Sequence, residues 1–193
     1  MSPAHSRRAA GLKRRVGSLR LLLLDVDGVL TDGGIYYTER DEEIKRFDIK
    51  DGMGIDLLKR AGIEVGILTG RTSKIVERRA HELGMKVLKQ GFYDKSAGFE
   101  EILKEQSLAE SEIAYMGDDI LDLAVMRRVA FRVCPADAVA EVRAEAHYVC
   151  EHSGGHGAVR EAADLILELR GLKGSAVSAA SSPGVKPHGR VAR

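Results

Sequence analysis

Leu21-Leu-Leu-Leu-Asp25-Val-Asp27-Gly28-Val-Leu-Thr31-Asp32 joins a run of four leucines to two carboxylates at i and i+2, then a glycine. An apolar run with no polar alternation reads as a strand covered on both faces, and such strands belong to parallel sheets. Core strands reject unpaired charge, so acids at the end of one need a metal ion, a cation or solvent. Side chains two apart on a strand point to opposite faces, so Asp25 and Asp27 meet at one place only if the chain turns, which Gly28 permits. Taken alone, the same residues equally describe a strand end closed by a turn.

Working outward, further short apolar runs at Glu64–Leu68, Ile113–Met116 and 129–133 join the first, 21–26, as predicted strands. Amphipathic patterns at 52–60, 73–83, 97–105, 119–127 and Ala158–Leu169 are predicted helices. This alternation predicts a doubly wound α/β fold with a parallel sheet and right-handed crossovers. Residues 33–37 and 43–48 flank a polar turn at 38–42 and read as a β-hairpin inserted after the first strand. Ligands in such folds bind beyond the carboxyl ends of the strands, so the hairpin is expected to stand over the site. No stretch is long enough for a cap or second domain.

The chain has 193 residues, 44% apolar and 31% charged, a length suited to one domain with a substantial core. Its net charge of +1 hides a segregation. Residues 1–20 carry six basic groups and 173–193 carry four, with no acid in either, leaving 20 basic against 29 acidic groups, net −9, in 21–172. That distribution argues against a basic nucleic-acid-binding body. Residues 1–18, with Arg7, Arg8, Lys13, Arg14 and Arg15, are expected to be a disordered arm, 19–172 the folded domain, and 173–193 a disordered low-complexity tail. The longest apolar run is far short of a membrane span, and Cys134 and Cys150 show no metal-ligand spacing. A cytoplasmic protein with buried thiols and no membrane partner is expected.

The other predicted strand ends also carry polar groups. Thr69-Gly70-Arg71 follows one strand and precedes a helix, where exposed amides and the helix dipole favour an anion; Thr69 alone is as readily a turn residue. Gly117-Asp118-Asp119, with Asp122 three residues on, is an acid cluster of the kind that holds Mg²⁺, although Asp119 also reads as an N-cap. Lys95 precedes the helix near residue 97 and, by itself, is a solvated surface lysine. Together these are the parts of metal-assisted phosphoryl transfer: a carboxylate nucleophile, an acid/base, donors for phosphoryl oxygens and a cation site.

Asp25-Val-Asp-Gly-Val-Leu-Thr31, Leu68-Thr-Gly-Arg71, Lys95 and Gly117-Asp-Asp119 with Asp122, in that order, resemble the motifs of the haloacid dehalogenase superfamily. The resemblance implies that Asp25 is phosphorylated and that Asp27 protonates the leaving alkoxide and then deprotonates water. It also implies that Thr69 and Lys95 bind phosphoryl oxygens. Mg²⁺ would be held by Asp25, the Asp27 carbonyl and Asp118, with Asp119 and Asp122 in support. Only about 40 residues separate Thr31 from Arg71, which resembles a capless member.

Phe47-Asp-Ile-Lys-Asp-Gly-Met-Gly54, Ala146-His-Tyr-Val149 and Gly154-Gly-His-Gly-Ala-Val-Arg-Glu161 extend the similarity to the subgroup of 3-deoxy-D-manno-octulosonate 8-phosphate phosphatases. That subgroup implies a homotetramer joined by its hairpins and a sugar-acid phosphate substrate, whose product serves lipopolysaccharide precursor synthesis. A nine-carbon acidic sugar 9-phosphate is the alternative. Gly70, Arg71 and His156 are candidate substrate contacts, His156 standing where the subgroup often has Arg; Lys50 and Arg160 are others, each equally a structural ion-pair residue. Gly154, Gly155 and Gly157 read most simply as a flexible turn. A phosphoreceiver domain also has acids, Thr and Lys on a doubly wound sheet, but its phosphoacceptor follows the third strand, where Leu88-Lys-Gln-Gly has no carboxylate. A catalytically silent scaffold would require lost motif residues, and none is lost.

Overall fold

The computed structural model describes residues 3–40 and 42–182, with side chains from residue 10 onward. Six parallel strands form one sheet: β1 (Leu21–Leu24), β4 (Glu64–Leu68), β5 (Val87–Lys89), β6 (Ile113–Met116), β7 (Phe131–Cys134) and β8 (Tyr148–Val149). A two-stranded antiparallel ribbon, β2 (Tyr36–Tyr37) and β3 (Glu43–Ile44), stands apart from it. The sheet order is β5-β4-β1-β6-β7-β8. From β1 the chain winds outward to β4 and β5, then returns to β6 on the other side. The order therefore reverses at β1, and a crevice opens at its carboxyl end.

The four leucines of β1 are all buried, and the pleat divides them between two cores. Leu22 and Leu24 face a layer that includes α2 (Ile49–Arg60), α3 (Lys74–Glu82) and α7 (Ala158–Leu169). Leu21 and Leu23 face α4 (Lys95–Gln106), α5 (Leu123–Met126) and α6 (Ala140–Glu145). Each buried leucine contributes about 1.5–3 kcal/mol of transfer free energy. Gly54 lets α2 approach α7, since a Cβ there would lie 2.9 Å from Arg160 Cα. Beside this contact the buried Asp51 carboxylate accepts from the Arg160 amide, 2.8 Å, in the first turn of α7.

The ends differ from expectation. The arm read as disordered is helical as α1 (Pro3–Val16). Its Arg, Lys, Ala and Leu residues are good helix formers, and Leu12 and buried Val16 fasten its last turns to the core. The start of the supposed tail is a further helix, α8 (Lys173–Ala180), held by buried Ala176; residues 183–193 of that tail lie outside the described residues. The strand β8 and the helix α6 have no counterpart in the sequence reading, and β5 enters it only as the third strand whose end carries Leu88-Lys-Gln-Gly. The helix expected over 119–127 is a 3₁₀ turn at Ile120–Asp122 followed by α5. Cys134 and Cys150 are free and buried. Among the described residues no helix is long and apolar enough to cross a membrane.

Candidate active site

Beyond Leu24 the chain does turn. The amides of Val29, Leu30 and Thr31 all donate to the Val26 carbonyl, at 3.2, 2.9 and 3.0 Å, and Gly28 takes φ +87°. A side chain at Gly28 would also put its Cβ 2.0 Å from Asp118 Oδ2, so this residue must be glycine on two counts. The glycine-rich segment after β8 braces the turn: Gly155 donates to the Val29 carbonyl at 3.0 Å, and a Cβ on Gly154 would lie 1.9 Å from Gly28 O. What reads as a flexible turn is therefore a close-packed buttress of the loop that carries Asp25 and Asp27.

The turn brings Asp25 and Asp27 to one open cavity of about 240 Å³. Thr69, Gly70 and Arg71 reach it from the end of β4, Lys95 from the first residue of α4, and Asp118, Asp119 and Asp122 from the loop after β6. Thr69 is buried, its amide donating to the Lys89 carbonyl at 3.0 Å. Lys95 is no surface lysine: its side chain is 3% exposed, with Nζ 2.7 Å from Asp25 Oδ2 and 2.5 Å from Asp122 Oδ1.

Asp122 is fully buried and completely engaged. Its Oδ1 takes Lys95 and the Tyr115 hydroxyl, 2.6 Å, while Oδ2 accepts from the amides of Asp118 and Asp119 at 2.9 and 3.1 Å. Asp119 lines the cavity but is exposed, and its Oδ1 accepts from Ile120 N at 2.7 Å, the N-cap role that the sequence also allows. His156 does not line the cavity. It is exposed, with Nδ1 2.8 Å from the Gly154 carbonyl and Nε2 3.2 Å from Arg46. Lys50 and Arg160 also lie outside the lining.

Asp25, Asp118 and Asp122 each offer an oxygen within 4.8 Å of the others. Burial raises the Asp25 carboxyl to about 6 even with Lys95 beside it. Burial, with the charges of Asp122 and Asp25, raises Asp118 to about 8. Burial opposes charge on Lys95, but Asp25 and Asp122 outweigh it and raise its pKa. Asp118 Oδ1 is buried without a hydrogen-bond partner. An orphaned carboxylate oxygen, a surplus of negative charge and an all-oxygen donor set fit a hard divalent cation such as Mg²⁺. Asp122 already takes four hydrogen bonds, whereas Asp25 takes one on each oxygen, from the Val26 amide and Lys95, and Asp118 Oδ1 takes none, so Asp25 and Asp118 have lone pairs to spare for it.

Three residues around the cavity were given no site role from the sequence. Tyr115 lies in a wholly apolar strand, and only its phenol three residues before Asp118 hints at a partner. Glu43 and Lys45 look like ordinary hairpin charges. In the structure they face inward: Glu43 accepts from Arg71 at 2.8 Å, and Lys45 donates to Asp27.

A switch-point crevice holding an aspartate pair, a buried lysine and a second acid loop defines a haloacid dehalogenase-type hydrolase, and a family model for haloacid dehalogenase-like hydrolases matches residues 87–161. The 3-deoxy-D-manno-octulosonate 8-phosphate phosphatase KdsC of Yersinia pestis is 43% identical over 168 residues, 85% of this chain and 90% of that protein. The solved Yersinia pestis phosphatase superposes with a TM-score of 0.83 at 42% identity, covering 85% of this chain and 89% of that one. The Moraxella catarrhalis phosphatase, solved with magnesium, phosphate and KDO, gives 0.84 at 36% identity, covering 87% and 97%. The chain belongs to the 3-deoxy-D-manno-octulosonate 8-phosphate phosphatase family.

Proposed function

We propose that the protein is a Mg²⁺-dependent phosphomonoesterase that converts 3-deoxy-D-manno-octulosonate 8-phosphate to the free sugar acid and phosphate, for lipopolysaccharide precursor synthesis. The observation that carries the chemistry is the placement of Asp25 at the carboxyl end of β1, paired with Lys95 and within 4.8 Å of an oxygen of Asp118, whose Oδ1 has no hydrogen-bond partner. The substrate rests on the relatives, whose names favour the eight-carbon acid over a nine-carbon one.

In this reading Asp25 attacks phosphorus while the bond to the sugar oxygen breaks, and Asp27 supplies the proton that the departing oxygen takes up. Water then attacks phosphorus, its proton passes to Asp27, and the bond to Asp25 breaks, releasing phosphate. The Thr69 hydroxyl and the Lys95 ammonium bind phosphoryl oxygens, and Lys95 also keeps Asp25 oriented. When bound, Mg²⁺, held by Asp25, Asp118 and the Asp27 carbonyl, supplies charge neutralisation for the transferring group. Gly70 and Arg71 border the sugar side.

The test is phosphate release with Mg²⁺ from eight-carbon and nine-carbon sugar-acid phosphates and from ordinary hexose phosphates. Preference for the eight-carbon acid is expected; equal, poor turnover of all would overturn the assignment. We further propose a homotetramer assembled through the hairpins, supported by exposure of Ile35, Tyr36, Tyr37 and Ile44. Gel filtration of a variant lacking residues 36–48 is expected to show a smaller species, and an unchanged size counts against it. Free buried thiols accord with a cytoplasmic setting.

A further inference from the structure

Lys45 follows β3 immediately, two residues from Glu43, so the two side chains share a face of the extended chain while Ile44 between them points outward, 52% exposed. The Lys45 side chain is only 3% exposed. Its ammonium donates to Asp27 Oδ1 and stands 3.5 Å from Glu43 Oε1. Glu43 is itself fixed, accepting from Arg71 at 2.8 Å and from the Ser73 hydroxyl at 3.1 Å. Arg71 Nε lies 4.0 Å from the other Asp27 oxygen, Oδ2. Lysine is almost never buried unless paired, and taking its charge out of water is costly. A hairpin that only covered the crevice would place an apolar residue here.

We infer that Lys45 is a positioning residue for proton transfer. By occupying Oδ1 it fixes the Asp27 rotamer and leaves Oδ2, with no direct hydrogen bond from Lys45, to exchange the proton with the sugar oxygen and with water. Glu43 keeps Lys45 in place and links it to Arg71, so the hairpin's position and the aim of Asp27 are set together. The inference rests on the phosphatase reading of the site.

The experiment measures steady-state hydrolysis of the eight-carbon sugar-acid phosphate and of p-nitrophenyl phosphate by the full chain with Mg²⁺. For Lys45→Met, kcat on the sugar phosphate is expected to fall about 100-fold, with KM and the Mg²⁺ concentration for half-activation within threefold of wild type. Asp27→Asn with Lys45→Met should be no slower than Asp27→Asn alone, because Lys45 acts through Asp27. Lys45→Ala should recover at least tenfold in kcat with added ethylammonium, a response that a folding defect does not give. A kcat within threefold of wild type, a loss confined to KM, an additive double variant or a folded Lys45→Ala protein without amine rescue would each overturn the proposal. A wild-type protein that hydrolyses neither ester would instead overturn the phosphatase reading beneath it.

Discussion

Lys95 Nζ lies 2.7 Å from Asp25 Oδ2, and the same ammonium pairs with the wholly buried Asp122. One cation thus pairs with two carboxylates, and the Asp118 carboxylate lies within 4.8 Å of both. Lys95→Met leaves them without it, and breaking a buried pair costs about 3–5 kcal/mol. The variant is expected to lose that much unfolding free energy in urea titrations without Mg²⁺ and more than about 1,000-fold in phosphate release.

Asp25→Asn exchanges the proposed nucleophile for an amide with no anionic oxygen. Phosphate release is expected to fall by about 1,000-fold or more, and rapid-quench labelling with a phosphorylated substrate should find no acid-stable acyl phosphate. Near-full turnover by this variant would end the covalent mechanism.

Asp118→Asn should move stability in opposite directions with and without metal. The Asp118 carboxyl sits at about 8 because burial and two neighbouring acids disfavour its charge. In chelator the amide is expected to raise stability by at least about 1 kcal/mol. With millimolar Mg²⁺ the wild type should gain Tm and the variant should not. Thermal melts in EDTA and in Mg²⁺ separate the two effects.

Gly28→Ala and Gly62→Ala form a matched pair. Both residues have positive φ, +87° and +78°, but a Cβ on Gly28 meets Asp118 at 2.0 Å while one on Gly62 meets nothing within 4 Å. Gly62→Ala is expected to cost about 1 kcal/mol with activity retained. Gly28→Ala should cost more and lower kcat at least about 100-fold, since it displaces a group from productive geometry.

Asp51 should make the fold less stable as pH rises. Burial raises its carboxyl from 3.8 to about 6, against the hydrogen bond from Arg160. Between these values the native state holds more proton than the unfolded chain, so this group's contribution declines from pH 4 to 6 and stays low above. Asp51→Asn removes the titration. Its stability relative to wild type should be higher at pH 7 than at pH 4 by on the order of 2 kcal/mol, measured by urea unfolding at both values.

The legible part of the molecule was the part where chemistry interrupts an apolar pattern. Leu21–Leu24, Glu64–Leu68 and Ile113–Met116 are long enough to declare buried strands, and the acids and Thr69 at their ends break the run abruptly. Val87–Lys89 and Tyr148–Val149 have three and two residues, too few for any period to show, and the sheet assigns them by pairing alone. Lys95 defied its default because burial of a charge depends on partners 27 and 70 residues away in sequence. Glu43 and Lys45 were opaque for the same reason. The basic arm was misread because charge dominates its composition, whereas two apolar residues near its end, Leu12 and Val16, decide where it packs.

The contact of Gly154 and Gly155 with the loop at Gly28 and Val29 spans most of the chain. During synthesis β1 and both aspartates leave the ribosome long before the segment that braces them exists. The geometry of the site is therefore completed late, as a long-range closure and not as a property of the N-terminal half. A nascent chain ending before residue 154 carries Asp25 on an unbraced turn, and the brace arrives only with the last fifth of the chain.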